Sequence, residues 1–279
     1  MTATSVDGQS DTAPTDDLML SLSDITVRFG GITALNGLSF DARAGEVLGI
    51  IGPNGAGKTT LFDVISGVRA PNEGRVLIGG RDVTTASSTS RARHGLRRTF
   101  QRVQAFGWLT VEDNILAALE WRGGGGGFVA DLVAFPTRRR HERDRRERVE
   151  AVLERCGLTS VRGELAGSLP IGVARMVELA RAIVDEPKLL LLDEPASGLD
   201  STEIVRLGEQ IQAVRADTGC TVLLVEHNAG FVMQQSERVV VLNLGTVLAE
   251  GLPTEVQQNQ AVRDAYLGET ELSTDEDDS

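Results

Sequence analysis

Gly52-Pro53-Asn54-Gly55-Ala56-Gly57-Lys58-Thr59 places three glycines ahead of a lysine and a hydroxyl in the spacing G-x-x-x-x-G-K-T. Glycines let successive backbone N–H groups curl around phosphate oxygens, and a helix opening at Lys58 would add the partial positive charge of its N-terminus. Lys58 would neutralise the outer phosphate oxygens and Thr59 would hold Mg²⁺, with Thr60 beside them in the same turn. The lysine goes against the habit of its own chain, which has only two Lys among 28 basic residues. A second constellation closes the run Leu189-Leu190-Leu191-Leu192 with Asp193-Glu194. Alone, such a pair is often a strand end meeting solvent. Beside a phosphate loop, Asp193 can enter a Mg²⁺ shell while Glu194 polarises an attacking water. The chemistry these types imply is phosphoryl transfer to water.

These side chains need a frame. Val47-Leu48-Gly49-Ile50-Ile51 is the short continuous apolar run of a strand buried on both faces of a parallel sheet, and it leads directly into the glycine loop and an apolar helix, Lys58–Ser66. Residues 20–27 alternate apolar and polar up to Gly30-Gly31, a second strand spans about 34–40, and Asn72-Glu73-Gly74 turns into a strand at 75–78. The middle differs. Thr110-Val111-Glu112-Asp113 reads as a capping box opening a helix with Val111, Ile115 and Leu119 on one face. Five glycines at 123–127 read as a flexible run. Val149, Val152, Leu153 and Cys156 mark an amphipathic helix stopped by Gly157, and Met176, Leu179, Ala180 and Ile183 mark another. Residues 105–184 therefore read as a helical insert. The α/β pattern resumes with the strand Leu189–Asp193, a helix capped by Asp200 with Glu203 three residues on, and the strand Thr221–Val225. A hairpin at 239–242 and 246–250 follows.

The net charge of −12 sits mostly at the ends. Asp7, Asp11, Asp16 and Asp17 have no base among them, nor do Glu269, Glu271, Asp275, Glu276, Asp277 and Asp278, so the body between carries −2. Tails at 1–17 and 268–279 read as solvated and disordered, flanking a single domain at 18–267. Neither is a basic arm, and no nucleic-acid partner is expected. Arg138–Arg148 holds seven Arg against three acids and reads as a solvated helix face rather than a lipid-headgroup site. Cys156 and Cys220 are too few for a disulfide framework or metal cluster. No signal-peptide pattern and no run of about 18 apolar residues occurs, so a soluble cytoplasmic chain is expected.

On these residues the chain resembles the ATPase subunits of ABC transporters, from about residue 20 to 268. The resemblance implies an α/β fold: a P-loop, RecA-like nucleotide-binding core with an N-terminal antiparallel β part and the inserted helical subdomain. It implies ATP and Mg²⁺ as cofactors. Phe29, 23 residues before the phosphate loop, resembles the aromatic platform for adenine. Gln101 resembles the loop residue that senses the γ-phosphate and the metal, His227 the switch histidine, and Ser197-Gly198-Leu199-Asp200 the loop crossing the dimer interface. Three stretches are similar to the ATPases of branched-chain amino acid importers: Arg98-Thr99-Phe100-Gln101, the insert between Thr110 and Arg148, and Ala265-Tyr266-Leu267-Gly268. Urea and amide importers share them. Where the family has the signature Leu-Ser-Gly-Gly-Gln, whose Ser hydroxyl and glycine N–H groups contact the γ-phosphate bound to the opposite subunit, this chain has Leu169-Pro170-Ile171-Gly172-Val173, in which Pro170 has neither a hydroxyl nor an N–H. The implied partners are membrane-spanning permease subunits, an extracytoplasmic solute-binding protein acting indirectly, and a second ATPase subunit, with a heterodimer favoured. The implied location is the cytoplasmic face of the membrane. Among competing classes, a soluble ABC ATPase on DNA or the ribosome would show a coiled-coil insert, a zinc motif or two cassettes. A GTPase switch would need an Asn-Lys-x-Asp motif, and Lys188 follows Pro187 instead. A non-hydrolysing regulatory subunit would not need Glu194 and His227.

Overall fold

Alternation and continuous apolar runs produce two different sheets. The computed structural model describes residues 17–101, 104–120 and 135–272. The long half-polar strands β1 (Leu18–Phe29) and β2 (Ile32–Arg43) pair antiparallel, and β4 (Glu73–Ile78) and β5 (Arg81–Asp82) complete a sheet in the order β2-β1-β4-β5. The apolar runs centre the other sheet: β3 (Val47–Ile51), β7 (Leu189–Asp193), β8 (Thr221–Val225) and β9 (Arg238–Asn243) lie parallel with the short, basic β6 (Leu96–Arg98) at one edge, and β10 (Thr246–Gly251) is antiparallel at the other. Its order is β10-β9-β3-β8-β7-β6. Every residue of β3, β7 and β8 is buried, which is why those segments show no polar alternation.

The period of two sends successive side chains of these strands into two cores. Leu48, Ile50, Leu191, Leu223 and Val240 pack toward the N-terminal sheet and helix α1 (Lys58–Ser66). Val47, Ile51, Leu190, Leu224 and Val241 face the helices on the other side. Those helices include α3 (Val111–Glu120), α4 (Phe135–Arg155) and α5 (Ile171–Ile183), then α6 (Ser201–Thr218) and α7 (Ala229–Gln235). Val111, Ile115, Leu119, Val149, Val152 and Leu153 join that second core, so the helical insert is packed into the sheet's own apolar interior. A short α2 (Ser88–Arg93) precedes β6, and α8 (Pro253–Gln258) and α9 (Gln260–Leu272) follow β10.

Helix ends follow their local chemistry. Asp200 and Glu203 form the reciprocal capping box expected at α6. At α3 only half of the expected box forms: the Asp113 N–H donates to the Thr110 hydroxyl, which in turn donates to the Asp113 carboxylate instead of leaving it for the Thr110 backbone. Gly157, with φ +65°, ends α4, its N–H donating to Glu154 O while Leu158 N–H donates to Leu153 O. Arg91, 1% exposed, donates to the Val64 and Ile65 carbonyls at the end of α1 and to those of Ala86 and Thr84. Burial lowers its pKa, and its charge sits where the helix dipole favours a cation. The last helix continues past the expected boundary at 268, to Leu272, and Asp17 accepts a bond from Ala44 N. The remainder of both expected tails, the glycine run 123–127 and the side chains of 138–141 lie outside what the structure describes.

Candidate active site

The loop between β3 and α1 is shaped by close backbone contact. Gly57 has φ +103° and heads α1, and a Cβ there would lie 2.8 Å from Ala34 O. A Cβ on Gly52 would strike the Leu242 carbonyl, whereas Gly55, at φ +77°, faces open space. The Ala56 N–H donates to Pro53 O at 3.1 Å, and Gly245 N–H, from the β9–β10 turn, donates to Ala56 O at 3.1 Å. Lys58 is buried and curls back, its Nζ donating to Gly52 O at 2.6 Å and Pro53 O at 2.9 Å. Asn54, Gly55, Ala56, Gly57, Lys58, Thr59 and Thr60 line an open cleft of about 350 Å³.

Across that cleft stand Gln101, Glu194 and His227. Glu194 follows β7 with φ +48°, and its N–H donates to Val225 O at 2.9 Å, which pins it to the end of β8. Its Oε1 lies 2.7 Å from His227 Nε2, and its Oε2 accepts from Gln101 Nε2 at 2.8 Å. Three residues from three separate loops thus meet at one carboxylate. Behind them Glu226 is buried and accepts from the Ala196 and His227 N–H groups. Burial raises its pKa against the pull of those donors. It ties together the loops after β7 and β8.

Asp193 is turned away from this group. Its Oδ2 accepts from Arg98 Nη2 at 2.8 Å, and Arg98 Nη1 donates to Asp63 Oδ1 at 2.7 Å and to Ser66 Oγ at 3.2 Å. The Arg98 guanidinium also lies near the Phe62 and Phe100 rings, at 5.6 and 5.1 Å. Burial raises the Asp193 pKa while Arg98 opposes it. Arg98 was legible only as part of a resembling stretch; it closes the short strand Leu96-Arg97-Arg98 just before the Gln101 loop.

Phe29 ends β1 with its ring 42% exposed and the Arg69 guanidinium 4.1 Å above it, and it does not line the phosphate cleft. Leu169, Pro170, Ile171 and Gly172 form the entry to α5, also outside the cleft. Pro170 is the N-cap, its carbonyl accepting from Ala174 N–H at 3.0 Å. Gly172 lies so close to the Glu203 carboxylate that a Cβ would collide with it, and that carboxylate also accepts from the Asp200 N–H. The signature segment and Asp200 therefore share one surface.

The family described as ABC transporter matches residues 35–197, and the one described as branched-chain amino acid ATP-binding cassette transporter matches residues 246–271. The chain is 39% identical over 251 residues to the high-affinity branched-chain amino acid transport ATP-binding protein BraF of Pseudomonas aeruginosa, covering 90% of this chain and 98% of the relative. It is 38% identical over 251 residues to LivG of Escherichia coli, a protein of the same description, with the same coverage. The fold superposes on a nucleotide-free ATP-binding cassette from an ABC transporter with a TM-score of 0.76 at 28% identity, covering 89% of this chain and 98% of the other.

Arg98→Met removes the cation from a buried carboxylate while keeping the stem. The expected loss is about 3 kcal/mol in urea unfolding at neutral pH, because Asp193 is left charged and unpaired. Without Arg98 the Asp193 pKa rises further above its ordinary value. The penalty is then full above that raised pKa and shrinks as pH falls through it, so parent and variant curves should converge toward acid pH. Parallel curves would contradict this account.

Proposed function

Because the chain belongs to the ABC transporter ATP-binding family, we propose that it binds and hydrolyses ATP to power an importer for branched-chain or related amino acids or amides. The observation that carries the mechanism is Glu194, held by Gln101 and His227 at the mouth of the phosphate loop. The curated relatives' descriptions support the solute class. No helix among the described residues is long and apolar enough to cross a membrane, and under this reading separate permease subunits form the passage, with the chain on their cytoplasmic face. A solute-binding protein would act on those subunits rather than here.

In this mechanism the loop N–H groups and Lys58 receive the phosphates, with Lys58 exchanging its loop carbonyls for phosphate oxygens. Glu194 takes the proton of the attacking water, and His227 and Gln101 fix its two oxygens so that the base is oriented before substrate arrives. Thr59 and Gln101 offer oxygen donors that a hard dication takes; Asp193, whose Oδ2 is engaged by Arg98 and which does not line the cleft, would have to turn its carboxylate to join them. Among the described residues no three His, Cys, Asp or Glu side chains gather as a metal cage, so phosphate oxygens would complete the Mg²⁺ shell. Mg²⁺ supplies charge neutralisation at the transferred phosphoryl group. Phe29, exposed and stacked by Arg69, offers a face for adenine.

Glu194→Gln should retain MgATP binding yet lose ~10²–10⁴-fold in steady-state hydrolysis within the assembled complex. Isothermal titration should show Lys58→Ala losing affinity itself and Phe29→Ala losing about 1–3 kcal/mol, the range of base–aromatic stacking. Turnover of Glu194→Gln within a few-fold of the parent would remove Glu194 from this role.

The altered signature supports a heterodimer with unequal sites. Pro170 cannot donate to a phosphate bound across an interface, and a lost hydrogen bond to a charged group costs about 1.5–3 kcal/mol. A homodimer would carry that defect twice. A partner with an ordinary signature would complete the site built on this chain's Lys58 and Glu194. Purified alone as Glu194→Gln with MgATP, the chain should remain monomeric by light scattering. A tight ATP-dependent homodimer, with strong hydrolysis by the unmutated chain alone, would refute the asymmetry.

A further inference from the structure

The loop carrying Gln101 is held from behind by one helix. Helix α5 directs Arg175, Glu178 and Arg181 at it from successive turns, and the first two side chains are 6% and 7% exposed. Arg175 Nη1 donates to Phe100 O at 3.2 Å and its Nη2 donates to Gln101 O at 2.5 Å. Glu178 Oε1 accepts from the Gln104 N–H at 2.6 Å, and Arg181 Nη1 donates to Gln104 O at 2.6 Å. Arg175 Nη1 also donates to Glu178 Oε2 at 3.2 Å, so the two buried charges neutralise each other while both grip backbone. On the opposite side Thr99 is fixed to β7, its N–H donating to Leu191 O and its hydroxyl accepting from Asp193 N.

Buried charges are costly, and a fold has cheaper ways to close a loop. Here all four contacts go to main-chain groups of residues 100, 101 and 104, so they set where the Gln101 backbone lies regardless of the side chains around it. From that backbone the Gln101 amide reaches Glu194 Oε2. The same helix starts at the Pro170–Gly172 segment. A continuous bonded path therefore runs from the signature surface, through Arg175, to the catalytic carboxylate.

We propose that Arg175 and Glu178 are positioning residues, a backbone clamp that holds Gln101 against Glu194 and makes the start of α5 and the Gln101 loop move as one body. The clamp rests on the hydrolytic reading above for its consequence, not for its existence. A shift of the signature segment against a partner would carry Arg175 with it and lift or seat the Gln101 amide on Glu194. Arg suits 175 because its planar fork holds the Phe100 and Gln101 carbonyls and the Glu178 carboxylate at once, in a fixed geometry that a flexible lysine point charge does not reproduce.

Two measurements separate the clamp from the reading it serves. In the isolated chain, Arg175→Met/Glu178→Met removes the ion pair and three of the four backbone contacts together, leaving only Arg181 on Gln104 O. Hydrogen exchange at the Gln104 amide should then accelerate by at least about tenfold, as expected for a local opening; unchanged exchange would overturn the clamp. In the complex with its membrane subunits, Arg175→Lys should leave MgATP affinity within about twofold and lower hydrolysis about tenfold. In a Gln101→Ala background the same change should cost less than about twofold, since residues acting through one another are not additive. A full tenfold loss persisting there would show that Arg175 acts elsewhere and overturn the proposal. A parent complex that fails to hydrolyse ATP would sink the hydrolytic reading, while the exchange result would still decide the clamp.

Discussion

The phosphate loop is closed in by main chain. Gly52 lies on the Leu242 carbonyl, and Gly57 and Gly245 both lie on Ala34, so three stretches of backbone from two sheets meet with no space for a side chain between them. Gly245 completes the contact with a bond to Ala56 O, and Asn36 N–H donates to Gly245 O. Because the loop is held by backbone groups, its curl exists before any phosphate arrives. Lys58 occupies the interior of that curl and gives it a cation of its own. The N-terminal sheet, the central sheet and the edge hairpin meet at this junction, and a Cβ at any of the three glycines would strike main chain there.

What the junction does for the loop, buried guanidinium groups do for the rest of the site. Arg91 ends α1, Arg98 links α1 to the tip of β7, and Arg175 links α5 to the Gln101 loop. In each case one planar side chain reaches two or more acceptors on different segments. A lysine, with a compact and strongly hydrated charge, would lose more on burial and hold fewer partners in fixed geometry. The scarcity of lysine in this chain is therefore informative at Lys58, where a flexible point charge rather than a fork is present.

The parts legible in the sequence were those with a local signal. The phosphate loop, the β7 tip and the Asp200 cap each announce themselves within a few residues, and they appear where expected. The meeting of Gln101, Glu194 and His227 was legible only through resemblance, because it joins positions 101, 194 and 227 across three loops and no periodicity reports such a contact. Arg98, Glu226 and the Arg175–Glu178 pair were missed as site residues for the same reason. Glu226 and the Arg175–Glu178 pair lie at the end of an apolar run or in an amphipathic helix, where a charge reads as a solvated edge, and Arg98 follows another Arg in β6. Their burial is set by what packs against them from far along the chain, and the half-formed box at Thr110 likewise turned on one hydroxyl's choice of acceptor.

The departure at Pro170 becomes intelligible when its two possible costs are separated. For the helix it is modest: Pro170 supplies the N-cap's extended ψ of 153° and a carbonyl that accepts from Ala174, and gives up only a side-chain cap, about 1 kcal/mol. Gly172 packs directly against the Glu203 carboxylate, which a Cβ there would displace. Ile171, 46% exposed, projects from the same turn without disturbing either. The segment thus keeps the shape that presents it to a neighbour and forfeits only the donors that a bound phosphate would use. A defect confined to what is offered across an interface leaves the chain's own Lys58, Glu194 and His227 intact. In the proposed dimer the phosphate loop and the signature of this chain would serve different nucleotides, and only the second would lack donors. Such a division would be tolerable if the chain across the interface were not a copy, so the proposed asymmetry rests on the donors that Pro170 lacks rather than on any residue that is present.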